Sequence, residues 1–381
     1  NKNRIKSFQN ICLIAFLFLS FFSLIRAENI IWGIRKLLYF LSVFPIYFLI
    51  INVFDLDKLK NIKQIKKIII VFIGGGFLIA LIGLIQFLSQ FVFGLESVYG
   101  FWAVNIVPVF SGFNYGSLIL AYSSWLVNLN GATVMRAFSI FSDPHIFSFY
   151  LGMLLPFMII VIMIINRKLF LKNIFLFLSV ICYLCLLLSF SRGAYFAIIS
   201  AFFTMCFLLW KYLGNKKIPI ILFLLLLILV IPGTSFSSRF YSSFNINEKS
   251  NSGRLEMWMR AGKAGWQNPA LGIGLGNYSL SIDDKSDYRN PITAHNLYLD
   301  FFSEIGLIAL VIWISLIIGT IWQLFLKLKK SEKEEQYIII GLIGSLVYFS
   351  THSIFETTVY SPVILAVLMA IFGISTIICK N

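Results

Sequence analysis

The chain has 381 residues, 59% of them hydrophobic, 17% aromatic and only 12% charged, against about 25% charged residues in soluble domains. Half the usual charge cannot cover a water-facing surface, which excludes a soluble enzyme, a disordered protein and a secreted disulfide scaffold; a polytopic, all-α membrane protein remains. Thirty-one Lys and Arg against sixteen Asp and Glu give a net +15, which fits the positive-inside bias of cytoplasmic loops better than a nucleic-acid partner.

Apolar runs of the length that crosses a bilayer core, about 17–25 residues, predict about ten spans. They fall at 8–25, 34–54, 68–93, 144–165, 174–191, 193–210, 218–232, 296–326, 337–355 and 361–379. The first is expected to be a span and not a signal peptide: no small-x-small site precedes Arg26-Ala27-Glu28, and a second span follows at once. The segments 1–10, 55–67, 166–173, 211–217, 327–336 and 380–381 then share one side and hold nineteen of the thirty-one basic residues. Both termini are therefore expected in the cytoplasm. The basic run Lys58 to Lys67 reads as a topology signal in contact with lipid headgroups, and Arg35 with Lys36 brings the entry of the second span toward the interface. Residues 1–381 read as a single integral membrane domain with two long extracytoplasmic segments, 94–143 and 233–295, the larger lying between spans seven and eight.

The five cysteines all fall inside apolar runs, where thiols pack as small apolar groups. Other polar residues collect at one membrane face once this topology is drawn: His145, His295 and His352, with Arg136, Asp143, Arg192, Arg254 and Glu356. Ionisable groups at membrane depth are costly and usually face a protein-lined cavity, although interfacial side chains are cheaper. Arg192, in Ser191-Arg192-Gly193 between two spans, either snorkels to headgroups or aims its planar fork at phosphate oxygens. Residues 252–267 predict an amphipathic helix on the membrane. Leu255, Trp258, Met259, Gly262 and Trp266 form one face, Glu256, Arg260 and Lys263 the other, and Asn268-Pro269 the stop. Arg254 in its first turn opposes the helix dipole unless an anion sits there, and with the free N–H groups would make a phosphate site.

Gly272-Ile273-Gly274-Leu275-Gly276-Asn277 lacks the strand–helix setting of a dinucleotide fingerprint and reads as a tight turn lining the site, with Gly274 and Gly276 as sources of backbone donors. Thr293-Ala294-His295-Asn296 leads into the eighth span. There His295, with an ordinary pKa near 6.5, is placed to take a proton from a hydroxyl nucleophile. No metal site is expected: Asp55-Leu56-Asp57 lies on the other side, Asp283-Asp284 lacks further ligands, and the histidines have no ligand spacing. No cofactor is implied either.

These features, in this order, resemble the O-antigen ligase and polysaccharide polymerase family of membrane glycosyltransferases. The resemblance is carried by Arg136 through Ser142-Asp143-Pro144-His145, Ser189-Phe190-Ser191-Arg192-Gly193, Gly253-Arg254 with Trp258, Pro269 with the glycine turn, Ala294-His295-Asn296, Glu304-Ile305-Gly306 and a late His352. The chain departs from the family in having His145 where an Asn is usual. The resemblance implies a GT-C-like bundle in a bacterial plasma membrane with its active site on the extracytoplasmic face. It implies an undecaprenyl-diphosphate-linked glycan as donor, a lipid or glycan acceptor, and a metal-independent, inverting displacement. By motif it assigns the catalytic role to His295 and diphosphate binding to Arg192, Arg254 and Arg136, with His145, Asn296, Gly274, Gly276 and His352 in support. Ligase and polymerase both fit. A transporter or flippase fits less well, because neither inverted repeats nor a midplane cluster of charges is visible.

Overall fold

The computed structural model describes residues 7–53, 58–112, 123–129, 131–165, 169–215, 217–245, 248–288 and 291–380. Asp55-Leu56-Asp57 and the basic residues Lys2, Arg4, Lys6, Arg167, Lys168 and Lys216 lie outside them. The chain is helical almost throughout, as hydrocarbon demands, because a helix satisfies its own backbone polar groups where water cannot. In order, the helices are α1 (Phe8–Ser23), α2 (Ile30–Val43), α3 (Pro45–Val53), α4 (Lys58–Phe93), α5 (Leu95–Phe101), α6 (Val107–Ser111), α7 (Pro144–Ile164), α8 (Leu169–Leu188) and α9 (Arg192–Leu213). They continue as α10 (Lys217–Val230), α11 (Ser235–Tyr241), α12 (Lys249–Gln267), α13 (Tyr278–Ile282), α14 (Leu297–Ile305), α15 (Leu307–Leu328), α16 (Lys333–His352) and α17 (Pro362–Lys380).

Among the described residues, eight helical segments are long and apolar enough to cross a membrane, and nine if Pro219–Val230 and Ser235–Phe244, bent by 77°, form one broken span. The protein is a multi-pass membrane bundle, and its differences from the ten expected runs have local causes. The second run is kept as one span, Ile30–Asn52, with a helix break at Phe44-Pro45 between α2 and α3. The seventh is a 14-residue helix that ends at Val230, just before Pro232 and Gly233, the latter at φ +96°. The eighth is two helices: Gly306, at φ +96°, separates α14 from α15, and the Leu307 N–H turns to the Pro269 carbonyl at 2.8 Å. The ninth, α16, is not among the eight; it opens with Glu334 and Glu335 and is buried along most of its length, so it does not need lipid-grade hydropathy. One short hairpin, β1 (Leu126–Leu129) with β2 (Ala132–Met135), interrupts the helices. Gly131, at φ +92°, stands just before β2, where the left-handed backbone of a tight turn favours glycine.

The chain divides into two compact units, each with its own core. The first comprises Asn1–Gln64, Ile246–Lys330 and Ser353–Asn381. In it α1 packs on α15, α3 on α17, and α12 on α14. Phe16 is the hub, with its ring centroid 4.9 Å from Phe301 of α14 and 5.1 Å from Trp313 of α15, so the short helix α14 is pinned into the core by an aromatic contact. The second unit comprises Ile65–Asn245 and Ser331–His352. Its central helix is α16, packed on α7 and α9. Small residues let these helices approach, as is usual in membranes. Ser345 donates to the Met153 carbonyl at 2.8 Å, Tyr348 to that of Ser148 at 2.7 Å, and the Tyr348 ring packs against Gly152, where a Cβ would fall 1.8 Å from its Cζ.

Gly152→Ala is expected to destabilise the second unit by about 1–3 kcal/mol, the range for overpacking, and to lower the thermal midpoint in detergent. Gly74→Ala, where nothing stands within 4 Å, should leave the midpoint unchanged or slightly higher.

Candidate functional site

In the first unit the chemistry-bearing residues gather around the start of α14. Asn296 caps this helix, its Oδ1 accepting from the N–H groups of Tyr298 and Leu299 at 3.0 and 3.2 Å. Just before the cap, His295 sits at φ +49°, in the left-handed region that costs most side chains of order 1–3 kcal/mol and is often occupied at functional sites. The backbone on either side is held: the Ala294 N–H donates to Asp300 Oδ1 at 2.8 Å, and the Leu297 N–H to the Ser353 carbonyl at 2.9 Å. This arrangement turns the His295 ring outward, 48% exposed.

His295 Nδ1 lies 2.9 Å from Glu356 Oε2, and Glu356 Oε1 accepts from the Arg254 guanidinium. The Glu356 side chain is only 7% exposed, so one buried carboxylate orients both cations. Because an ionised carboxylate only accepts, Nδ1 carries the proton in the neutral ring and Nε2 is the basic nitrogen. Attraction to Glu356 holds the His295 pKa above its ordinary value of 6.5, with burial and Arg254 opposing.

Arg254 does not sit at a helix start. The helix begins at Lys249, where the Glu248 carbonyl accepts from the N–H groups of Asn251 and Ser252, so Arg254 falls in the second turn. The expected site of Arg254 plus free N–H groups is therefore not formed; the guanidinium is balanced by Glu356 instead. Helix α12 is seated on α14 by Gly265, where a Cβ would lie 2.5 Å from the Phe302 ring. Its Leu255, Met259 and Trp266 are exposed, and Arg260 pairs with Glu256 one turn away.

The glycine turn serves as a clasp on α14. Gly272, Gly274 and Gly276 all have positive φ. The N–H groups of Ile273 and Gly274 donate to the carbonyls of Ser303 and Glu304 at 2.8 and 3.0 Å, and that of Leu275 to Ser23 Oγ at 3.2 Å. Gly274 packs against Ala27, whose Cα would meet an added Cβ at 2.4 Å. These donors hold the turn to its own unit.

In the second unit, Arg136, His145, Ser191 and His352 form one polar chain. Asp143 caps α7 through the His145 N–H at 2.5 Å. His145 Nδ1 is 2.9 Å from Ser191 Oγ and its Nε2 is 3.5 Å from Arg136 Nη2; Ser191 Oγ is 3.3 Å from His352 Nε2. His352 also stacks on Phe149, with centroids 3.7 Å apart. Arg136 is buried and donates to the carbonyls of Ser189 and Ser124 at 2.6 and 2.9 Å. Arg192 is buried at the first position of α9, with Ser191 as cap and Ser242 at 3.5 Å. The fold thus brings Arg136, His145 and His352 together around Ser191, and links Arg254 to His295 through Glu356.

Several participants carried weak sequence signals. Gln86 and Gln90, one helical turn apart in an apolar span, hold the backbone of the Arg136 segment: Gln86 donates to the Arg136 carbonyl at 3.0 Å, and Gln90 Oε1 accepts from the Met135 N–H at 2.7 Å. Lys36 is bound to buried Glu304 at 2.6 Å and lies 3.7 Å from the Tyr360 ring centroid, which explains a lysine within an apolar run. Asp300, inside the expected eighth span, is fully buried. Burial pushes its pKa up to about 6, helped by Glu304 and opposed by Lys36, the nearby Thr357 hydroxyl and the Ala294 N–H. The described residues contain no group of three His, Cys, Asp or Glu placed to hold a metal ion.

No curated protein matches the chain. Residues 177–314 match the family model described as O-antigen ligase. The matched stretch holds Arg192, Arg254, the glycine turn, His295 and Asn296, whereas Arg136, His145, His352 and Glu356 fall outside it. Over residues 177–314, then, this multi-pass membrane chain is similar to the O-antigen ligase family.

Proposed function

We propose that the chain is a membrane glycosyltransferase that moves a glycan from an undecaprenyl-diphosphate carrier to an acceptor hydroxyl in cell-surface polysaccharide assembly, in the manner of a ligase and on the extracytoplasmic face. The observation that carries this reading is the half-exposed His295, its Nδ1 fixed by the buried Glu356 that also holds Arg254. An imidazole so oriented presents Nε2 to an acceptor hydroxyl. As the acceptor oxygen bonds to the anomeric carbon, its proton passes to Nε2, and the carbon–oxygen bond to the carrier breaks with its electron pair leaving on the diphosphate. A single displacement of this kind inverts the anomeric centre. Glu356 stabilises the imidazolium as it forms, and fixed guanidinium donors offset the charge growing on the leaving group without waiting for solvent to reorganise. Arg254 is the arginine proposed for that role beside His295. Arg192 and Arg136 keep the diphosphate-binding role implied by the resemblance, and His145, Asn296, Gly274, Gly276 and His352 act as supports. The reaction as written needs no metal.

The test is a gene deletion in the host, restored with wild type, Arg254→Ala or His295→Ala, with surface glycans separated by size. The expected outcome is loss of glycan from its surface acceptor, with full-length chains left on the lipid carrier. Single repeats in place of a ladder would identify a polymerase, and an unchanged profile in the deletion would overturn the transferase reading. In purified protein, His295→Ala should lower the transfer rate by roughly 10²–10⁴-fold, the usual contribution of a general base.

The pH dependence follows from the same pair. His295 accepts a proton only when neutral, so transfer should rise as pH rises through its pKa, which Glu356 holds above 6.5. In Glu356→Gln that attraction is gone, and the acidic limb of the rate profile should move to lower pH. Stability runs the other way. The ion pair's contribution is fully present below the unfolded value of 6.5 and is lost as pH rises through the raised folded value.

A further inference from the structure

The first unit holds a second pocket lined with charge, far from the proposed base. It has a volume of about 580 Å³ and opens where three apolar segments end: Phe8 begins α1, Leu328 closes α15 and Lys380 closes α17. Each of these segments is long and apolar enough to cross a membrane, so the pocket stands where hydrocarbon gives way to the headgroup layer. Two of the helices lead to it from the site of His295. Helix α15 starts just after Gly306 and α17 shortly after Glu356, and at 1.5 Å per residue each runs about 30 Å to its lysine end. The pocket is thus on the opposite membrane face from the His295–Glu356 pair, and the transfer chemistry does not use it.

Among the described residues of its wall three are lysines, Lys327, Lys330 and Lys380, and none is Asp or Glu. Lys330 and Lys380 are exposed and Lys327 is half-buried, so a ligand in the pocket can reach their ammonium groups. The deeper polar groups are satisfied within the unit: the Ser7 hydroxyl is 2.8 Å from that of Tyr47, which is 3.3 Å from Thr376 Oγ1. Gln9 donates to Gln323 Oε1 at 2.8 Å, and with its oxygen so used the half-buried Gln323 has its NH2 group left to give. The wall therefore supplies positive charge and donors, and its complement is an anion with several acceptor oxygens, such as a phosphate. The volume falls in the range of small-molecule sites, about 300–1,000 Å³, and exceeds what a lone phosphate fills. Apolar surface begins at the same place. Leu326, in the wall, is exposed, and Trp322, Ile318 and Val311 continue the exposed side along α15. On α1 the exposed Ile11, Ile14, Phe18 and Phe21 recur at three and four residues, one stripe leading away from Phe8.

We propose that this pocket binds the headgroup of an anionic phospholipid. Its phosphodiester is held by Lys327, Lys330, Lys380 and the Gln323 amide, and its acyl chains lie on the exposed stripes of α1 and α15. Basic pockets between spans at a membrane surface suit such headgroups, each Lys adding to the attraction. The bound lipid ties together α1, α15 and α17, which are otherwise joined here by apolar packing and by the Ser7–Tyr47–Thr376 hydroxyls. With His295 on the extracytoplasmic face, as proposed above, this lipid belongs to the cytoplasmic leaflet and is distinct from the glycan carrier. That placement rests on the proposed function, whereas the binding does not. A soluble phosphate shares the headgroup chemistry but leaves the apolar stripes unused, and the experiment separates the two.

The pocket carries its own reporter, the half-buried Cys379 in its wall. The experiment uses the full-length protein with Cys206→Ser, which removes the other half-buried thiol; Cys12, Cys182 and Cys185 are buried. In a neutral detergent, maleimide modification is followed by intact mass while phosphatidylglycerol, phosphatidylcholine or inorganic phosphate is added, with Cys379→Ser as the silent control. Phosphatidylglycerol is expected to slow the modification saturably. Its midpoint should rise about fivefold in Lys330→Gln and again in Lys330→Gln with Lys380→Gln, the size of one basic group's attraction to anionic lipid. Lys211→Gln, at the end of α9 in the second unit, should keep the unsubstituted midpoint. Native mass spectra of the same samples should show one phosphatidylglycerol fewer retained in the double variant. Equal protection by phosphatidylcholine would overturn the proposal, as would a midpoint and a retained-lipid count that the pocket variants leave unmoved. Protection by inorganic phosphate at the same concentration would assign the pocket to a soluble anion and overturn the lipid.

Discussion

A carboxylate taken out of water has to find a cation or a set of donors, and in the first unit three carboxylates do so around one nine-residue helix. Glu304 takes Lys36, Asp300 takes the Ala294 N–H, and Glu356 takes Arg254 and His295. The Glu304 and Glu356 partnerships join α14 or its entry to other parts of the unit, and the Asp300 one ties the entry to the helix itself, so the helix is placed by electrostatics as well as by the Phe301 contact with Phe16. Helix α14 is too short to be stable alone, and what holds it also sets the direction of the His295 ring.

Both motif arginine and motif histidine are delivered by the same local device. Phe190 at φ +47° precedes the Ser191 cap and Arg192; His295 at φ +49° precedes the Asn296 cap and Leu297. A left-handed residue followed by a capping side chain turns the chain sharply into a helix, which exposes or directs a side chain at the corner. At the first corner the side chain of interest begins the helix and is buried among the groups of the second unit; at the second it stands on the strained residue itself and is half exposed. That difference suits a positioned cation in one case and a group that exchanges protons with substrate in the other.

The membrane bundle was legible in the sequence because lipid imposes a long, one-dimensional signal: apolar runs of fixed minimum length. Boundaries were less legible where the tertiary environment substitutes for lipid. The break at Gly306 is invisible to hydropathy, since both sides are apolar, and comes from the Pro269 carbonyl and Ala270 backbone crowding the glycine. Arg254, His295 and Arg192 could be singled out because charged residues beside apolar runs are rare. Glu356 could be placed at the same face but not given a role, because a pairing across 102 positions to Arg254 and 61 to His295 leaves no local pattern.

Taken alone, the sequence determined the solvent, the helical class, most of the spans and the short list of groups able to do chemistry, since each depends on composition or on neighbours along the chain. Only the tertiary structure decided which of those groups meet. It paired Glu356 with His295 and Arg254, moved Arg254 out of the first helical turn, used the glycine turn's donors to clasp α14, and gathered Lys36, Asp300 and Glu304 around a cavity. The reason is physical: burial costs of charge are settled by whatever partner lies nearest in space, and distance in space is not a function of distance in sequence.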